Sequence, residues 1–154
     1  MYKRILIPLD GSRLAEGILP FVLQIAGPLD LEVILVRVEQ PIAPQVIEGT
    51  THFTVDDIPA RMKDAREYLA PVAAELRRQG ARVTTEARYG NPVAEIVAAA
   101  RQTGADIIAM TTHGRSGVSR LVFGSVAEAV LRRAEIPVLM MRLTERHGSV
   151  VKAA

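Results

Sequence analysis

Residues 112–130, THGRSGVSRLVFGSVAEAV, carry three glycines, two arginines and three serines between an apolar run and an apparent helix. That composition suits an anion cradle. Gly114 and Gly117 permit close approach of backbone to a ligand. Gly124 and Ser125 would open the next helix with free N–H groups at the positive end of its dipole. Arg115 is the nearest candidate for neutralising a phosphate directly. The same residues also suit a plain connection, in which the glycines supply left-handed turns, Arg115 is solvated and Ser125 only caps its helix. Local chemistry leaves both readings open, because the stretch matches neither the Walker A pattern nor G-x-G-x-x-G.

Other chemistry is sparse. His113 stands alone beside Gly114, with no carboxylate in the 111–125 segment to orient it as an acid or base, and His52 and His147 lie far from it in the sequence. The absence of cysteine removes thiolate nucleophiles and cysteine-rich metal sites, and no His, Asp or Glu cluster has metal-ligand spacing. The second polar turn of interest is Asp10-Gly11-Ser12, which closes the first apolar run, RILIPL.

The elements that must position these groups alternate. Apolar, β-branched runs over 4–9, 31–38, 81–88, 105–111 and 137–142 predict five strands. Helical patterns run over 13–26, from Ala60 to the stop at Gly80, over 92–103 and over 125–134. Gly17 and Pro20 predict irregularity in the first helix. Asn91-Pro92 is an N-cap followed by a first helical position, and Ser125 with Glu128 forms an S-x-x-E capping box for the last helix. Residues 40–59, with three prolines and no sustained period, read as a long loop. Five strands alternating with four helices predict a single doubly wound α/β domain, a five-stranded parallel sheet with helices on both faces, over 1–142. The polar tail 143–154 is expected to be partly disordered.

Composition narrows the function classes. The chain of 154 residues has 19 basic and 17 acidic side chains, a net charge of only +2, and no run of about five or more like charges, which argues against nucleic-acid binding. With no signal-like apolar segment and no apolar run approaching 18 residues, the expectation is a cytoplasmic protein without membrane attachment.

Nearly end to end, from about Lys3 to Arg142, the sequence resembles the universal stress protein family. Its nucleotide-binding members share a G-x2-G-x9-G-[ST] motif. Thr111-Thr112-His113-Gly114, nine residues and then Gly124-Ser125 occupy that register here. ILIPLDGS, YGNPVAEIV and IPVLMMR follow in the order the family places them. The resemblance implies a Rossmann-like fold akin to the adenine nucleotide alpha hydrolases, and a stress-responsive regulatory protein that binds ATP with at most slow turnover or autophosphorylation. Pro8, Leu9 and Asp10 would border the adenosine, with the Asp10 carboxylate accepting from ribose hydroxyls, and Val38 would line the adenine. Met110, Thr111 and Gly114 would approach ribose and phosphates, while Gly124, Ser125 and Val126 would offer N–H groups and one hydroxyl to the phosphates. Mg²⁺ would arrive with the nucleotide, held by phosphate oxygens. The resemblance also points to a homodimer through the fifth strand, whose sequence lacks the charges that blunt an exposed edge.

One position departs from the motif: Thr111 stands where its first glycine belongs. A side chain there narrows the pocket or donates its hydroxyl to a phosphate. The alternative it favours is a dimeric interaction module of the same family that does not use ATP. A receiver domain of the response-regulator type is excluded, since Arg88-Tyr89-Gly90 and Met141-Arg142 stand where the phosphoacceptor Asp and the Lys would be needed.

Overall fold

The computed structural model describes residues 1–43, 45–47, 50–52, 57–112 and 124–142. Strand β1, Arg4–Pro8, is buried through Ile5, Leu6 and Ile7 on both of its faces, as a central parallel strand must be. The predicted first helix is two: α1, Arg13–Glu16, and α2, Leu19–Ala26. Gly17 ends α1, and Pro20 falls in the first turn of α2, where its missing N–H costs nothing. Strand β2, Glu32–Glu39, follows.

The expected long loop carries a small antiparallel hairpin, β3, Gln45–Ile47, with β4, Thr50–His52. Three-residue strands are too short to show a period, and the prolines that suggested a loop flank the hairpin instead of interrupting it. Helix α3, Ile58–Arg78, begins two residues before the predicted Ala60, because the Asp57 side chain accepts from the Ala60 N–H at 3.0 Å. Then come β5, Arg82–Tyr89; α4, Pro92–Thr103; β6, Ile107–Thr112; α5, Ser125–Arg133; and β7, Val138–Arg142.

The main sheet has the order β5-β2-β1-β6-β7, and each of its pairings is parallel. Alternate residues of the inner strands feed two cores. Ile5, Ile7, Val33, Leu35 and Ala109 pack with α2 and α3 residues such as Val22 and Leu69. Leu6, Ile34, Val36, Ile108 and Met110 pack with Ile96 of α4 and Val130 of α5. Helices therefore cover both faces, in the doubly wound arrangement. Among the described residues, no helix is long and apolar enough to cross a membrane.

Candidate functional site

The chain runs outward from β1 to β2 and β5, then returns to the other side of β1 for β6 and β7. At such a reversal the segments leaving β1 and β6 diverge, and a crevice opens beyond the strands' carboxyl ends. A cleft of about 270 Å³ lies there. Pro8, Leu9 and Asp10 line it from the end of β1, Val36 and Val38 from β2, and Met110 and Thr111 from β6. Gly124, Ser125 and Val126 line it from the start of α5. Nine of the residues singled out by the resemblance thus meet in one place. The other two, Gly114 and Arg115, lie outside the described residues, as does His113.

The turn after β1 is held by its own side chains. Gly11 has φ of +86°, a conformation that favours glycine, and the Asp10 carboxylate accepts from the Ser12 N–H at 2.8 Å. Ser12 in turn caps α1 by accepting from the Ala15 N–H at 3.1 Å. Partial burial works to raise the Asp10 pKa, but hydrogen bonds from Ser12 and the positive charge of Arg37 outweigh it, so the carboxyl sits below its ordinary value. Asp10 is a stable anion and a poor base.

The opposite wall corrects the sequence reading. Ser125 is the first residue of α5, not its cap: the cap is Gly124, and among the described residues no side chain caps this helix. The N–H groups of Ser125, Val126 and Ala127 precede the first helical bond, from Glu128 N–H to the Gly124 carbonyl at 3.0 Å. The residues that carry these donors, with the positive end of the helix dipole, line the cleft. Gly124 itself has φ of −58° and ψ of 146°, which any residue adopts.

The cleft lining also includes residues that the sequence did not single out as a site, among them Ser12, Gln40 just past β2, and Pro92 and Ile96 of α4. Pro92 and Ile96 sit inside YGNPVAEIV, a segment with a visible helix start but no visible path to the cleft. Asp10 is the only ionisable side chain among the described lining residues. Among the described residues, no group of three or more His, Asp or Glu could hold a metal ion. A smaller depression of about 160 Å³, at the strands' amino ends, is lined by apolar residues of α4 and β6 and by Arg101 and Glu135, whose charges pair at 2.6 Å.

The sequence profile of the universal stress protein family matches residues 1–142. The chain belongs to the universal stress protein family. It is 33% identical over 144 residues to universal stress protein MJ0531 of Methanocaldococcus jannaschii, covering 92% of this chain and 83% of that protein. The solved structure of MJ0577, a second universal stress protein of that organism, superposes with a TM-score of 0.69 at 28% identity, over 94% of this chain and 99% of the other. A universal stress protein from Archaeoglobus fulgidus in complex with dAMP superposes with a TM-score of 0.64 over 90% of this chain and 97% of the other. At 23% identity, that likeness is one of fold. Against these relatives, the five-stranded parallel sheet and its flanking helices are the common frame of the universal stress proteins.

Proposed function

We propose that this universal stress protein is a regulatory protein that binds ATP in the cleft between β1, β2, β6 and α5. The observation that carries the reading is the start of α5, without a side-chain cap among the described residues, which lines the same cleft that Asp10 lines from the other side. A ligand with anionic groups at one end and vicinal hydroxyls in the middle matches that spacing of chemistry. The apolar surface of Val36, Val38 and Ile96 suits a flat base. The dAMP complex of the Archaeoglobus fulgidus protein supports an adenine nucleotide as the class of ligand.

Gly124, Ser125 and Val126 would hold the phosphates, Asp10 the ribose, and Val38 the adenine, with Pro8, Leu9, Met110 and Thr111 as the remaining walls and Gly114 and Arg115 completing the phosphate end. Bound Mg²⁺ would supply charge neutralisation at the phosphates, held through their oxygens. Turnover would be slow at most, because the one ionisable side chain among the described lining residues is a carboxylate already committed to Ser12. Titration calorimetry with ATP, with and without Mg²⁺, tests this: saturable binding below millimolar nucleotide is expected. No binding at millimolar ATP with Mg²⁺, in the parent and in Thr111→Gly alike, would overturn it.

The same reading includes a homodimer through β7. That strand is an edge of the sheet and has a single charge, Arg142. Leu139 and Met141 pack toward one core and Val138 and Met140 toward the other, so the free edge offers chiefly backbone groups. Light scattering at micromolar concentration is expected to give twice the chain mass.

A further inference from the structure

We propose that Arg37 is a positioning residue for the nucleotide: from the α3 face of the sheet it braces the Asp10-Gly11-Ser12 turn, whose carboxylate meets the ribose. The inference rests on the cleft being the nucleotide site and adds a group that lies outside it. Arg37 follows Val33 and Leu35 on the α3 face, whereas its neighbours Val36 and Val38 line the cleft. Its guanidinium occupies the space beside Gly11, where a β-carbon would stand 2.5 Å from Nη1. Gly11 thus serves twice, in its backbone conformation and in the room it leaves for the arginine.

The guanidinium is held by two partners, one of them anchored in turn. Nε donates to Glu39 Oε1 at 2.7 Å. The ring of Tyr68 lies 4.7 Å from Cζ, a cation–π contact. The Tyr68 hydroxyl donates to Glu16 Oε1 at 2.6 Å, which ties the ring to α1. Glu39 also accepts from Arg61 Nη2 at 3.0 Å, and Arg61 donates to the carbonyl of Gln40, a cleft residue. One network therefore supports both the ribose wall and the segment beyond β2. The side chains of Arg37 and Glu39 are only 24% and 13% exposed, so the pair is shielded from the screening that makes surface ion pairs weak.

An arginine that merely tied β2 to α3 would have no reason to lie against bare backbone of the turn. Two readouts separate the roles. In the ligand-free protein, Arg37→Met is expected to speed hydrogen exchange of the Ser12 amide, the donor to Asp10, by about tenfold while the amides of Leu6 and Ile7 stay as in the parent. In titrations, the same variant is expected to weaken ATP by about tenfold and 2′,3′-dideoxy-ATP by less than about threefold, since the lost grip is on the ribose hydroxyls. Tyr68→Phe, which keeps the ring and removes its anchor, is expected to move both readouts the same way by less, and it serves if Arg37→Met does not fold. Unchanged Ser12 exchange overturns the inference whether or not nucleotide binds. A parent that binds ATP and a variant that loses both nucleotides equally overturn it too. A parent that binds no ATP overturns the function proposed above, and with it the ribose role.

Discussion

Helices α4 and α5 enter the same face of the sheet from the same end, and they begin in opposite ways. At α4, Asn91 accepts from the Ala94 N–H at 3.1 Å, and Pro92 removes another donor outright. At α5, a glycine precedes the helix and, among the described residues, no side chain caps it. The α1 and α3 starts are capped as well, by Ser12 and Asp57. Two described starts have no side-chain cap: at α2, Pro20 in the first turn removes a donor, whereas the α5 start lines the cleft, and there an anion would gain. A cap lost here costs stability of order 1 kcal/mol, which a bound phosphate returns only when ligand is present.

Changes at the two helix starts test that contrast. Gly124→Val puts a branched side chain into the space at the α5 start without backbone strain; ATP is expected to weaken at least tenfold, about 1.4 kcal/mol, with adenosine affected less, by calorimetry. Asn91→Ala is the converse: chemical denaturation should show a loss of about 1 kcal/mol of stability, with ATP affinity unchanged. Ser125→Ala removes a hydroxyl that caps nothing, so the melting temperature should hold while ATP weakens by less than about 1 kcal/mol. A fall in melting temperature would mean that the hydroxyl has a structural duty.

The smallest expected effect lies at the strands' amino ends. The Asp106 carboxylate accepts from the Lys3 and Arg4 N–H groups at 2.7 and 2.8 Å, which holds its pKa below the ordinary 3.8. Because the folded value is depressed, its stabilising contribution is fully present above 3.8 and is lost as pH falls through the folded value. Acid unfolding of Asp106→Asn should lack that part of the pH dependence. Nucleotide affinity at neutral pH should not change.

Strand and helix positions were legible because the β-runs other than β5 are densely apolar and most helix boundaries carry a local marker, such as Asn91-Pro92 before α4 and Gly104, with φ of +65°, after it. Local markers also misled. Ser125 and Glu128 have capping-box spacing, yet Glu128 pairs with Arg132 at 2.7 Å and Ser125 is already helical. The hairpin was invisible for want of length, and the split of the first helix was visible only as the two residues that cause it. In the cleft, the lining residues of β1, β6 and α5 were legible through the motif register. Arg37, Tyr68, Glu16 and Arg61, which meet behind the cleft, were not, since they come from three elements and no spacing links those elements. Their meeting is a property of the sheet order.

The β1–β6 seam has a consequence for how the protein is made. It joins residues about a hundred positions apart, as the Lys3–Asp106 bond spans 103. β1, β2 and β5 can pair as soon as the first 89 residues exist, but the seam must wait for β6 and the anion end of the cleft for α5. Closing so long a loop is slow, and its entropy is repaid only once the distant strand docks. A nascent chain with its first three sheet strands in place therefore has the Asp10 turn but no partner for it. Ligand can trap only the finished molecule, so in refolding experiments ATP should slow unfolding and leave the early folding phase untouched.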